Sequence, residues 1–356
     1  MTKISFSNNH TAFSIQLRKK IDEYFTSQNI KLTGNRKLYM KTIVLMASAG
    51  LLYSLLVFMT LPAWVSLILC VLMGFNLAAI GFNVMHDGAH GSYSQKKWVN
   101  EMMSYSLDLL GGCSYLWKVK HNVNHHSFTN IDGADDDIDI QPWIRTTRTQ
   151  PRKWYHKYQH VYWVFFYSLT YVSWVFGRDF QKYFSGKVAG MKFKKMSLKD
   201  HLIFWGGKLV YTFLFIVLPV MMLGFIPTLV GYLVTAAVCG LTLSIVFQLA
   251  HVIEEATFPE LNAETKKMTQ DWTIHQLATT ANFSTRNKAL SWFVGGLNFQ
   301  VEHHLFPRIS HIHYPAINKM VKDVCAQFNV RYLEHRSFFS ALRSHIMHLK
   351  VVGAVA

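Results

Sequence analysis

Two stretches of this sequence carry no Lys, Arg, Asp or Glu: Thr42 to Met85, a run of 44 residues, and Leu209 to Ala250, a run of 42. A helix needs about 20 apolar residues to cross a bilayer, so each run has the length of two spans and a turn. Each also carries a breaker near its middle, Leu61-Pro62 in the first and Gly224 with Pro227 in the second. The pattern predicts two helical hairpins and four transmembrane helices. Buried helices of a soluble core rarely run so far without a charge, which excludes an ordinary soluble domain.

The spans predict the rest of the organisation. The chain carries 36 Lys and Arg against 20 Asp and Glu, a formal charge of +16. The turns near Pro62 and Pro227 hold no Lys or Arg, while the flanking segments hold nearly all of them. By the positive-inside rule the flanking segments are expected to be cytoplasmic. The expected layout is one all-α integral membrane domain over 1–356. It consists of an arm (1–38), a first hairpin (39–85), a segment (86–201), a second hairpin (202–250) and a final segment (251–356). The cytoplasmic segments are expected to form one helical cap. The first 39 residues are polar and show no secretory signal pattern, so the N-terminus is expected to stay on the cytoplasmic side. The positive charge suits anionic headgroups, a phosphate-bearing substrate or an acidic redox partner; nucleic acid is not an expected partner of a four-span protein. Cys70, Cys113, Cys239 and Cys325 form no C-x-x-C pair and read as apolar filler.

Outside the spans the sequence gives local expectations. Phe13, Leu17, Ile21 and Phe25 recur every four residues, one helical face that suits either the membrane surface or the cap. Leu107 to Trp117 is too short to span and reads as a re-entrant or interfacial piece. Asp132, Asp135, Asp136, Asp137 and Asp139 lack the Glu that closes a calcium-binding EF-hand loop. They read first as a solvated loop, with a place beside a metal as the alternative. Trp154 to Phe176 is aromatic and amphipathic, in the manner of a surface-lying helix rather than a fifth span. Lys182 to Lys199 reads as a basic connector, and Pro307 should end the helix that precedes it.

The chemistry lies in the histidines. His121, His125 and His126 fall within six residues, in a basic segment between the two apolar runs. His86 and His90 are four apart, on one face of a helix continuing out of the second span. His125 repeats that spacing from His121, and in an α-helix His126 points about 100° away. His303 and His304 are adjacent, and His251 follows the fourth span as His86 follows the second. Eight imidazoles are too many for one ion with open positions and about right for two. Imidazole suits Zn, Cu, Fe and Ni. Neither the His-Glu-x-x-His of zinc proteases nor the Glu-x-x-His of soluble di-iron bundles occurs. Asp87 and Glu302 each adjoin a candidate ligand and are expected to orient rings.

His86-Asp-Gly-Ala-His90, His121-x-x-x-His125-His126 and Gln300-x-x-His303-His304 resemble the three histidine boxes of membrane fatty-acid desaturases. The likeness runs from the first span to Tyr332. Gln300, where many desaturases carry histidine, is similar to the front-end subgroup, which inserts a double bond between an existing one and the carboxyl end. The resemblance implies two iron ions at the cytoplasmic face, with His251 as the extra ligand after span four, O2 as co-substrate, and a fatty acyl substrate carried as acyl-CoA or acyl-lipid. No His-Pro-Gly-Gly haem motif occurs, so the expected electron donor is a separate carrier, a ferredoxin or a cytochrome. An apolar tunnel should hold one carbon pair against the irons.

Two other functions fit parts of the pattern. Histidine-box relatives include hydroxylases, and a haem-carrying electron-transfer protein also places histidines near spans. A metal transporter needs polar groups inside the spans, which are nearly lacking here. The remaining histidines, His10, His156, His160, His201, His275, His311, His313, His335, His345 and His348, read as surface or core residues, with His311 and His313 near enough to the third box to support it.

Overall fold

The computed structural model describes residues 4–6, 11–260, 268 and 270–355; His10 lies outside them. The described chain is mostly helical. Helix α1 (Ala12–Ser27) is capped by Thr11, whose side chain accepts from the Ser14 amide. Asn35 caps α2 (Arg36–Phe58) in the same way, through the Lys37 amide. Pro62, which has no amide hydrogen to lose, opens α3 (Ala63–His90). Helix α4 covers Gln159–Ser168. Ser197 and Asp200 form a reciprocal capping box at the start of α5 (Leu198–Leu223). Gly224, at φ +87°, breaks the chain before α6 (Phe225–His251). Then follow α7 (Trp272–Thr279), α8 (Gln300–Leu305), α9 (Tyr314–Gln327) and α10 (Phe338–Ala354).

Among the described residues, four helices are long and apolar enough to cross a membrane: α2, α3, α5 and α6. They are the two expected hairpins, broken at the expected Pro and Gly. The protein is an all-α integral membrane protein. Its helices run past the uncharged stretches, because α3 continues through both first-box histidines to His90 and α6 ends on His251 itself. Trp154 to Phe176 supplies shorter helical pieces instead of a span, and exposes Trp154, Val161 and Phe165.

The chain forms two compact units, each gathered from separated segments. Unit 2 comprises Asn35–Val119 and Trp163–Ile245. In it Met85, Ala89, Leu107 and Trp117 form a small buried cluster, with Trp174 packed against it. Lys208, on α5, is buried and fully engaged: Nζ reaches Asp179 at 3.0 Å and the carbonyls of Gly111 (2.6 Å) and Val175 (2.8 Å). A cation in a spanning helix is tolerated when it is paired in this way. Lys187–Val188 and Met191–Lys192 pair antiparallel, so part of the basic connector is a small hairpin.

Unit 1 comprises Met1–Gly34, Lys120–Tyr162 and Val246–Ala356. The periodic face of α1 is buried there, Phe13, Leu17, Ile21 and Phe25 packing with Ile317, Val321 and Val324 of α9. Of the two readings of the arm, packing within the fold is the one adopted. Ser14 donates to Asp271 (2.8 Å), the residue that caps α7 through the Thr273 amide. Arg145 donates from Nη1 to the Val352 carbonyl (2.9 Å) and Gln159 to the Leu349 carbonyl (2.7 Å), tying α10 to the middle of the chain. Asn282–Phe283 and Glu334–His335 form a two-residue parallel pair.

Candidate metal centre

The second box does not sit on a regular α-helix. Val119–His125 forms a π-helical turn, in which hydrogen bonds run from i to i+5, followed at once by His126–Phe128 in α-geometry. The wider turn brings positions i, i+4 and i+5 to one side. His126 therefore does not point away from His121: their Nε2 atoms are 3.2 Å apart, and the His121 and His125 rings stack at 5.1 Å. A second π-turn, Gly81–Met85, immediately precedes His86 in α3. Such turns gather at functional sites.

Within unit 1, six of the eight predicted ligands come together. His125, His251 and His304 form one group, His126, His303 and His304 a second, and His121, His125 and Asp137 a third, with donor atoms in each group within 4.8 Å of one another. All six rings are at least 95% buried. Within unit 2, His86 and His90 lie side by side with ring centres 4.6 Å apart, and Trp117 packs edge-to-face with both, at 5.7 and 5.9 Å.

The outward partners fix which nitrogen faces in. His125 Nδ1 donates to the Asp135 carboxylate at 3.0 Å, and His121 Nδ1 to Asp137 at 3.1 Å. His304 Nδ1 donates to Gln276 Oε1 at 2.8 Å, and His251 Nδ1 to the Thr279 carbonyl at 3.2 Å. His303 Nδ1 lies 3.0 Å from the Tyr314 hydroxyl. Carboxylate and carbonyl oxygens only accept, so Nδ1 carries a proton in the first four rings, and in their neutral form Nε2 is left as a lone pair. His125 Nε2 and His304 Nε2 are 3.2 Å apart, a distance at which either one proton shared between them or a cation must separate the two nitrogens. His251 Nε2 is buried with no hydrogen-bond partner among the described residues. The donor set thus fits a metal that takes imidazole, and the outward bonds are those that orient metal-bound histidines.

Charge around the rings is arranged to match. Burial alone would lower the His125 pKa, but the Asp135 carboxylate, by charge and hydrogen bond, leaves it raised. Burial would raise Asp137, yet Lys120, with Nζ 2.5 Å from Oδ1, and the hydrogen bond from His121 hold it well below the usual carboxylate range. Two members of the acidic cluster are therefore not solvated. Asp135 is 1% exposed and Asp137 lies between Lys120 and the histidines. Their spacing gave only a faint signal, and Gln276, Thr279 and Tyr314 gave none.

The other predicted residues are placed as follows. Glu302 directs its carboxylate to Asn282 (2.7 Å), Tyr332 (2.9 Å) and Asn318 (3.2 Å), bracing α8, and burial pushes its pKa up to about 7. Asp87 Oδ1 lies 3.9 Å from His86 Nδ1. Gln300 is 1% exposed, its amide having no hydrogen-bond partner among the described residues. Of the remaining histidines, His156 bonds the Pro142 carbonyl, His201 bonds Tyr183, and His313 bonds the Thr33 carbonyl. His345 and His348 bond the carbonyls of Val252 and Thr146.

Four membrane-length helices and a buried cage of imidazoles with inward lone pairs define a membrane metalloprotein. A sequence profile of the fatty acid desaturase family matches residues 62–336. Over 351 residues the chain is 38% identical to an acyl-lipid (8-3)-desaturase of Physcomitrium patens, covering 96% of this chain and 72% of that protein. It is 34% identical to an sn-1 linoleoyl-lipid 6-desaturase of Arthrospira platensis, covering 98% of this chain and 94% of that protein. A protein of the same name from Synechocystis is 33% identical, with 95% and 94% covered. The chain belongs to the fatty acid desaturase family, and is therefore an iron-dependent oxidoreductase acting on fatty acyl chains.

Proposed function

We propose that this protein inserts a double bond on the carboxyl side of an existing one in a lipid-bound acyl chain, using O2 and two electrons from a separate carrier, a ferredoxin or a cytochrome. The relatives described above are named acyl-lipid and linoleoyl-lipid desaturases, which favours a glycerolipid over acyl-CoA as carrier. Gln300 at the head of the third box favours the front-end position. In this proposal His86, His90, His121, His125, His126, His251, His303 and His304 hold two iron ions, with the termini and the site on the cytoplasmic face. When bound, the iron supplies oxygen activation and the removal of hydrogen from two neighbouring methylenes.

The protein's own residues supply placement. Asp135, Asp137, Gln276 and the Thr279 carbonyl engage Nδ1 of their rings, so Nε2 of His125 meets that of His304, and Nε2 of His121 meets that of His126. This buried set of converging imidazole nitrogens is the observation that carries the proposal. The depth of the cage keeps water from competing for those positions. Unit 2 offers an apolar cavity of about 650 Å³ among its spanning helices, with Leu56, Met73, Leu77 and Phe215 in its wall, suitable chemistry for methylene groups.

The test is expression in a host supplied with linoleate, followed by mass spectrometry of its lipids. The expected product has one more double bond, nearer the carboxyl end. A hydroxylated product overturns desaturation, and an intense Soret band in the purified protein overturns the iron assignment.

A further inference from the structure

Asn130 takes no part in the histidine boxes and is 0% exposed. Its backbone is left-handed, at φ +59°, a conformation that Asn tolerates better than most residues. Its side chain donates to three main-chain carbonyls from distant parts of unit 1: His251 at 2.8 Å, Thr257 at 3.1 Å and Thr279 at 3.4 Å. Two amide hydrogens serve three acceptors, so two of the contacts share one. The Asn130 backbone amide donates to Asp135 Oδ2 at 2.9 Å, on the carboxylate that takes the His125 Nδ1 proton. The Thr279 carbonyl that Asn130 touches also accepts from His251 Nδ1.

We infer that Asn130 is a positioning residue that locks the second-box loop to the end of α6, setting the His125 and His251 rings in one metal-binding arrangement. Through its main chain it holds the carboxylate that orients His125. Through its side chain it holds both the helix end that carries His251 and the carbonyl that orients its ring. One residue thus couples two members of the group formed by His125, His251 and His304. The role is specific to the amide: aspartate has the same shape but would turn an acceptor on three carbonyl oxygens, and glycine keeps the backbone freedom while removing the donors.

This inference rests on the iron reading above, and its test separates the two. The purified full-length protein in detergent is titrated anaerobically with Fe(II), and bound iron per chain is measured by plasma mass spectrometry. Residues that orient metal-bound histidines typically contribute about 10–100-fold in affinity. Asn130→Gly is expected to fold and to bind at least one iron about 10–100-fold more weakly than wild type, and Asn130→Asp to bind it more weakly still. A residue that only stabilises the fold would lower the melting temperature and leave the affinity of the folded fraction unchanged. If Asn130→Asp fails to fold, Asn130→Gly carries the test. Wild-type affinity and stoichiometry in folded Asn130→Gly overturns the positioning role alone, whereas a wild-type protein that takes up no iron overturns the reading beneath it.

Discussion

An imidazole can offer a metal only one nitrogen at a time, and the group bonded to the other decides which. In unit 1 that decision falls to Asp135 with particular force. Its two oxygens accept from His125 Nδ1 and from the backbone amides of Asn130 and Asp137, each amide at 2.9 Å. Asp135→Asn is nearly isosteric, but its NH2 must face one of those amide hydrogens, leaving a donor against a donor in a buried site. Iron affinity and desaturation should fall about 10–100-fold while the protein still reaches the membrane; wild-type iron content would exclude the orienting role. The candidate ligands were legible in the sequence because imidazole spacing is specific. Their partners were not, since Gln276 is 150 residues from His126, to whose carbonyl it donates (3.1 Å), and nothing local marks it. Asp135 and Asp137 were visible as charges, yet a charge run resembles solvated surface until the fold buries it.

At the scale of elements, the hairpins were legible because the bilayer demands uncharged length, and Pro62 and Gly224 break the runs for backbone reasons that need no tertiary context. The π-turn through the second box was hidden, since its i to i+5 bonding has no residue signature comparable to Gly or Pro. It changed the reading of His126. Helix contact inside unit 2 was equally hidden. A Cβ added to Gly240 of α6 would lie 2.8 Å from the Ser168 carbonyl oxygen and 2.9 Å from the Tyr171 amide, backbone atoms that cannot swing aside. Small residues permit such close approach between membrane helices. Gly240→Ala should therefore destabilise the protein by about 1–3 kcal/mol through overpacking, read as a lower melting temperature in detergent. A Cβ added to Gly50 of α2 would meet nothing within 4 Å beyond its own helix backbone among the described residues, and Gly50→Ala should leave the melting temperature unchanged or slightly raised. Equal effects of the two substitutions would contradict the packing argument.

For the whole molecule, burial holds several histidines outside the candidate ligand set below the ordinary imidazole pKa, and this sets part of its response to acid. Burial lowers His345 to about 4, against an ordinary value near 6.5; its Nδ1 lies 2.6 Å from the Val252 carbonyl, a contact that opposes the shift only partly. His348 is lowered by burial as well. Because the folded value lies below the unfolded one, the unfolded chain takes up the proton first as pH falls. Stability from His345 is then complete above about pH 6.5 and is lost between there and about pH 4. A buried carboxyl whose pKa is raised acts in the opposite sense. Glu302, raised to about 7, contributes stability at low pH that is lost as pH rises from about 4.5 to 7. The overall profile therefore mixes both, and a variant isolates the histidine. His345→Asn can keep an N–H directed at the Val252 carbonyl but cannot take up a proton. It should be less stable than wild type at pH 8, where the missing ring leaves a gap. That deficit should shrink as pH falls from 6.5 to 4, by up to about 3 kcal/mol. Thermal unfolding of both proteins in detergent across this range measures the difference. A deficit that stays constant with pH would show that His345 titrates alike in the folded and unfolded chain.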